Sequence, residues 1–130
     1  MARTAVTVTA MTPNTVAAFV AGTTGTTIDA TNHHVITPPA GCPVEELLVI
    51  VTNTTASTKA ATVKAGDNPP AFEAGQGDLA ISLTDGSTTP QSGAVVLQSG
   101  RFVQDDGTIN IDIAASMTGK ITCFRIPRTA

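Results

Sequence analysis

The 130-residue sequence predicts an all-β fold, and three observations favour this class. Threonine is the commonest residue type, and threonine and valine favour strands because a branched Cβ packs well on a pleated surface. Short runs alternate between apolar and polar residues, as half-buried strands require, and no stretch has convincing helical periodicity. Turn residues separate these runs at short intervals. We therefore expect a single antiparallel β-sandwich of about eight strands, jelly-roll-like in form.

Alternation and turn chemistry place the individual strands. Valine and threonine alternate over residues 4–10, and this run predicts the first strand. Further strands are expected at residues 35–37, 45–53, 59–64, 79–83, 95–97, 101–104, 108–113 and 120–126. The unbroken aliphatic run at 47–51 predicts a central strand that is covered on both faces. Turn residues at 53–57 and 116–119 predict that the strands on either side of each turn form hairpins.

Composition restricts the function classes. Charged residues make up 13% of the chain, against about 25% in a typical soluble domain. Seven cations against ten anions do not form the basic cluster typical of a nucleic-acid binder. The aliphatic run is far shorter than the ~20 residues that a membrane helix needs, so no membrane partner is expected. The N-terminus lacks the hydrophobic segment of a signal peptide, so we expect a chain that is not Sec-exported and that matures in a reducing cytoplasm.

The charges are distributed unevenly along the chain. Before Glu45 the only charged side chains are Arg3 and Asp29. One interpretation is a threonine-rich surface that is hydrated through its hydroxyl groups. The other is a region that lies against another protein, where charges would be costly to desolvate. We expect one domain over residues 1–130, with 1–15 and 125–130 as possible contact arms. The candidate partner contacts are Arg3, Thr4, Arg125 and Arg128.

Residue types that carry catalytic or metal chemistry are few. His33 and His34 are adjacent, and adjacent strand residues point to opposite faces, so we expect a solvent-exposed or loop-packed pair rather than a metal site. Cys42 and Cys123 do not form a Cys-x-x-Cys motif, and free thiols are expected in a reducing cytoplasm, with Cys123 in the core. No nucleophile motif occurs. The expectation is a protein that is not an enzyme and has no metal or cofactor.

Several short segments together resemble a known group of proteins. They are residues 3–9, 51–59, 65–71, 75–78, 101–104, 106–109 and 124–128. These segments look like those of small β-rich structural proteins of actinobacterial tailed phages and prophages, some of which resemble head decoration (cement) proteins. The resemblance spans most of the chain but includes no catalytic signature, so no functional residue is carried over from it.

The resemblance implies a structural role in the virion. It implies a compact β domain on the outer capsid surface that bridges subunits of the major capsid protein, typically as a homotrimer, and that is made in the host cytoplasm. Two alternatives remain open: a head or tail fibre component for host attachment, and a free-standing module that binds carbohydrate or peptide. Carbohydrate sites usually present aromatic faces, and this chain has no Trp or Tyr. Of its four Phe residues, Phe102 and Phe124 are expected in the core.

Overall fold

The computed structural model describes residues 2–67 and 77–127, and β-strands predominate in them. A single 3₁₀ turn, Val44–Glu46, precedes the fifth strand, and a one-turn helix, α1, spans Ser99–Phe102. The strands in these residues are β1 (Thr4–Ala5), β2 (Val8–Ala10), β3 (Thr26–Thr27), β4 (His34–Ile36), β5 (Leu47–Asn53), β6 (Lys59–Val63), β7 (Leu79–Leu83), β8 (Gln91–Val96), β9 (Ile109–Ile113) and β10 (Gly119–Arg125).

The strands form two mixed sheets, which confirms the all-β class. The first sheet has the order β1-β4-β9-β6-β7 and the second has the order β2-β10-β5-β8, with β3 also paired to β10. Two pairs, β1 with β4 and β2 with β10, are parallel, so the expectation of a purely antiparallel arrangement is wrong. Parallel neighbours need a long connection between them, and both of these pairs join strands that are distant in sequence.

The first predicted strand is divided between the two sheets. Residues 4–10 alternate as expected, but β1 joins the first sheet and β2 joins the second. The chain crosses between the sheets at Val6, whose side chain is 5% exposed and belongs to the core. This division, together with the short β3, gives ten strands in the described residues rather than about eight. Alternation specifies which face of a strand is buried, but it does not specify the partner strand.

Neither predicted hairpin forms. β5 pairs with β10 and β8, whereas β6 pairs with β7 and β9 in the other sheet. β9 and β10 are likewise in different sheets. Both connections therefore pass from one sheet to the other, and Met117 of the second connection is buried in the core. The residues that turn a chain within one sheet also occur in connections between sheets, because both need polar side chains and tight backbone bends.

Asn53 at the end of β5 explains the first crossing. Its side chain is fully buried, and its Nδ2 donates hydrogen bonds to the carbonyl oxygens of Thr84 (2.8 Å) and Ser57 (3.1 Å). Its Oδ1 accepts a hydrogen bond from the amide of Thr55 (2.9 Å). A polar side chain in the core has to satisfy its hydrogen bonds locally. Asn53 does so by holding the 54–58 connection and the end of β7 around itself.

Both sheets contribute to one hydrophobic core. Alternate residues of β5, β9 and β10 point into it, and the predicted core residues Phe102 and Cys123 are buried there. Residues 101–104 were expected to form a strand, but the amides of Arg101 and Phe102 donate to the carbonyl oxygen of Gln98 and close the helical turn α1. Phe102 then packs into the core from this turn. In the described residues no helix has the length and hydrophobicity required to span a membrane.

Candidate functional site

The second sheet has an apolar patch on the side that faces away from the core. Its inner face belongs to the core, and the alternate residues of β5 point the other way. Leu48 pairs with Phe124 on β10 and with Val96 on β8, and Ile50 pairs with Ala94. Side chains of directly paired residues lie on the same face. These five residues form what we call the outer face, and they account for the continuous aliphatic run that the sequence shows in β5.

An irregular segment, which we call the strap (residues 12–22), lies over the outer face. It starts beside the end of β10, where the amide of Met11 donates to the carbonyl oxygen of Arg125 (2.9 Å). It ends where Gly22 lies against Pro90 and Thr54, at the opposite end of the sheet. The strap therefore runs along the sheet from one end to the other without forming a strand of its own.

The strap exposes large apolar side chains to solvent. Val16 is 93% exposed, Val20 is 59% exposed and Phe19 is 37% exposed. Val96, on the outer face, is 53% exposed. Single exposed hydrophobic residues are ordinary on protein surfaces, but a group of them on one segment is typical of a contact site for another molecule.

A cleft of about 500 Å³ lies between the strap and the sheet. Its walls are formed by threonine side chains of β2, β3 and β10, by Ala17 and Ala18 of the strap, and by Phe124. Two of its hydroxyl groups hold the strap in place. The hydroxyl of Thr24 accepts a hydrogen bond from the amide of Val20 (2.9 Å), and the hydroxyl of Thr122 donates to the carbonyl oxygen of Thr24 (3.0 Å). The cleft is therefore polar but uncharged.

The two charged residues of the N-terminal region are occupied by internal contacts. Arg3 Nη1 lies 2.7 Å from Asp112 Oδ1 and donates to the backbone carbonyl oxygen of Ile111 (3.3 Å). The Asp29 carboxylate accepts hydrogen bonds from the Thr4 hydroxyl (2.7 Å) and from two backbone amides, those of Thr31 and Asn32. These donors hold the pKa of Asp29 well below its usual range. The strap and the cleft consequently carry no charged side chain.

The predicted contact residues occupy different parts of the fold. Arg3 and Thr4 lie at the edge of the first sheet, where both make the internal contacts described above. Arg125 lies at the end of β10 in the second sheet, with its Nε 3.4 Å from Glu46 Oε2. Arg125 also lines a second cleft of about 280 Å³. Arg128 lies outside the described residues, as does Phe72. The structure therefore does not bring Arg3 and Arg125 into one site.

Sequence reasoning missed the exposed residues of the strap. Residues 16–20 were visible as a short apolar segment between turn residues, but an isolated apolar segment is usually part of the core. The available signal was the absence of charge around this segment, because an apolar loop without charged neighbours suits a contact with another protein.

The histidine pair is packed into the structure, and His34 is fully buried rather than exposed. His33 has a left-handed backbone (φ 63°), and its Nδ1 accepts a hydrogen bond from the amide of Ile113 (2.9 Å). Both cysteines are free thiols, and burial raises the pKa of Cys123 to about 12. Within residues 2–67 and 77–127, no three His, Cys, Asp or Glu side chains are arranged to hold a metal ion.

Comparisons with protein-family models, with curated proteins and with solved structures find no match to this chain.

Proposed function

We propose that this protein is a non-enzymatic structural component of a tailed-phage virion that decorates the outer capsid surface and cements neighbouring capsid subunits. The observation that carries the proposal is the exposed apolar strap, which has no charged side chain and lies beside Phe124 of the outer face. The resemblance of the sequence segments to phage structural proteins supports the same role.

The physical requirements of a cement protein match these features. A protein that binds only the assembled shell stabilises it by mass action, and the effect is multiplied over many copies. Its contact surface must be desolvated without leaving charges unpaired, and the strap meets this requirement. A rigid body is also needed. We propose that the two sheets around the common core form a jelly-roll-like sandwich that provides this rigidity.

The proposed partners are the major capsid protein and further copies of this chain in a homotrimer. The strap begins within the N-terminal arm 1–15, and Arg125 opens the C-terminal arm 125–130. Met11, which precedes the strap, lines the second cleft together with Arg125 and Pro127. This neighbourhood supports a contact region that joins the strap to the C-terminal arm. In it Arg125 would orient the partner more than it would add affinity, because exposed ion pairs contribute only about 0–1 kcal/mol.

A second candidate function is a binding module for carbohydrate or peptide. The threonine-lined cleft supports it, since its volume of about 500 Å³ lies within the usual range for small-molecule sites. Phe124 lines the cleft but is only 6% exposed, so it offers little aromatic surface to a sugar ring. We therefore rank this function below the structural one.

Copy number in purified particles tests the proposal most directly. The 13.1 kDa chain is quantified against the major capsid protein by gel densitometry or mass spectrometry. We expect near-stoichiometric amounts. A few copies per particle would indicate a fibre or tail component instead, and absence from particles would favour the soluble binding module.

A charge placed in the strap tests the contact surface itself. Val16→Asp adds a carboxylate at a side chain that is 93% exposed, so the free energy of unfolding should change by no more than about 0.5 kcal/mol. We expect binding to undecorated particles to fall by more than tenfold, because the carboxylate would be desolvated in the contact. Ser82→Asp is the matched control, since Ser82 is exposed on β7 of the other sheet. Equal binding by both variants would exclude the strap as the contact surface.

A further inference from the structure

The N-terminal strand is short and lies at the edge of the first sheet. β1 consists of Thr4 and Ala5 and pairs only with β4 within the described residues. Besides its pairing with β4, the segment makes backbone hydrogen bonds from the amide of Thr4 to the carbonyl oxygen of His33 (3.0 Å) and from the amide of Val6 to the carbonyl oxygen of Val35 (2.9 Å). A two-residue edge strand of this kind belongs to the least stable parts of a fold. Side chains add to this attachment, since Arg3 pairs with Asp112 (2.7 Å) and the Thr4 hydroxyl donates to Asp29 (2.7 Å). His34 is the titratable side chain that contacts the strand backbone itself.

His34 connects β1 to the turn that precedes β4. Its imidazole Nδ1 lies 3.1 Å from the carbonyl oxygen of Thr4, and its Nε2 accepts a hydrogen bond from the amide of Asp29 (2.9 Å). Because Nε2 accepts a hydrogen bond from a backbone amide, it carries no proton itself. Nδ1 must then carry the ring proton and donate a hydrogen bond to the carbonyl oxygen of Thr4. A single neutral tautomer satisfies both bonds, and the ring is fully buried.

Protonation would break this arrangement. A proton on Nε2 would face the N–H of Asp29, so the acceptor would be lost and two donors would oppose each other. We propose that His34 acts as a pH-sensitive latch that holds the N-terminal strand on the first sheet when neutral and releases it when protonated. The latch comprises His34, Thr4 and Asp29, and it does not depend on the proposed function.

Some of the charged and titratable groups around His34 lower its pKa and others raise it. Burial, the largest effect, lowers the pKa of His34 below its usual 6.5, and the nearby His33 and Arg3 lower it further. The hydrogen bond to the Thr4 carbonyl and the Asp29 carboxylate raise it, but by less. Arg3 is itself paired with Asp112 on β9, which offsets part of its charge. The net direction is downward, so the docked strand favours neutral imidazole.

The sign of the pH effect follows from this direction. In the released state His34 is exposed to water and titrates near its ordinary pKa of about 6.5. Below this pH the released state binds a proton that the docked state does not, so falling pH favours release. The docked strand is fully stabilised above pH 6.5, and this stabilisation is lost as the pH falls toward the lowered pKa of the docked state.

The experiment follows amide hydrogen exchange of the full chain between pH 7.5 and 5.5. The amide of Thr4 reports on release of β1, and the amide of Asp29 reports on the bond to Nε2. We expect the protection factors of both amides, corrected for intrinsic exchange, to fall about five- to tenfold over this range. The amide of Val51, in the centre of β5, should keep its protection factor, and an equal fall there would mean global unfolding and would overturn the latch.

Two variants assign the effect to one histidine. The chain contains two histidines, so His34 is the only histidine in the His33→Asn variant. Asparagine tolerates the left-handed backbone at position 33. In this variant, NMR of the ring nitrogens should show the Nδ1–H tautomer and a pKa below 6.5. The opposite tautomer, or an unshifted pKa, would overturn the proposal. His34→Gln should abolish the pH dependence at Thr4. If that variant does not fold, the ring titration in His33→Asn still decides the question.

Discussion

Asn53 is the residue on which the crossing between the two sheets depends most directly. The informative perturbation is Asn53→Ala, which removes a fully buried amide without adding volume. It withdraws the donors to the carbonyl oxygens of Thr84 and Ser57 and the acceptor for the amide of Thr55. It also withdraws the longer bond to the carbonyl oxygen of Leu83 (3.4 Å), so four backbone groups would lose this partner.

The size of the effect follows from where the groups in the three shorter bonds lie. An unsatisfied buried polar group costs about 1–3 kcal/mol. Residues 55, 57 and 84 are at least partly exposed, so water can reach their backbone groups in part, and the lower limit applies. The three shorter bonds, at about 1 kcal/mol each, give a loss of about 3 kcal/mol in the free energy of unfolding. With an urea m-value of about 2 kcal/mol/M, the unfolding midpoint should fall by about 1.5 M.

Urea denaturation, followed by far-UV circular dichroism, measures this loss. Asn110→Ala is the matched control, because Asn110 is half-buried on β9 and its side chain makes no hydrogen bond within the described part of the chain. The control should change the free energy of unfolding by less than about 1 kcal/mol. Asn53→Asp retains the acceptor but turns an oxygen toward three carbonyl oxygens, so it should be less stable than Asn53→Ala. Similar midpoints for Asn53→Ala and the control would refute the role assigned to Asn53.

The remaining predictions concern close packing and thiol access. Gly86→Ala would place a Cβ on a backbone carbonyl oxygen of β5, so we expect a loss of about 3 kcal/mol or more in the free energy of unfolding. In Gly41→Ala the new Cβ meets no atom within 4 Å, so the free energy of unfolding should fall by only about 1 kcal/mol because of the positive φ. Urea denaturation compares the two variants. Equal losses in both would contradict the packing argument. For the thiols, Ellman's reagent should modify Cys42 in the native protein and Cys123 only after unfolding, because Cys123 is fully buried and its pKa is raised to about 12. Rapid labelling of both thiols in the native state would show that the core opens readily.

The strands were easier to predict than their partners. The alternating isoleucines of β9 and the aliphatic run of β5 identify strands because side-chain direction is a local property with period two. The pairing of β5 with β10 rather than β6 depends on the side chains of the 54–58 connection and on Asn53, which contact residues distant in sequence. A turn sequence predicts a bend, but it does not indicate whether the chain returns to the same sheet.

At the candidate site, too, the sequence predicted some features and the fold alone determined others. The lack of charge before Glu45 was evident from the sequence, and it left open either a threonine-rich hydrated surface or a contact with another protein. The position of that surface was not evident, because Val16 and Phe19 look like core residues until the strap is found outside the second sheet. Arg3 looked available for a partner until the fold placed Asp112 beside it.

The sequence by itself determined the all-β class, most of the strands and the absence of charge in the N-terminal region. These properties depend on residue type and on spacing between near neighbours, which a single chain displays directly. Only the tertiary structure decided which strands pair, which charges are neutralised within the molecule and which apolar residues remain exposed. Those outcomes depend on contacts between residues far apart in the chain, and a local pattern does not encode its distant partner.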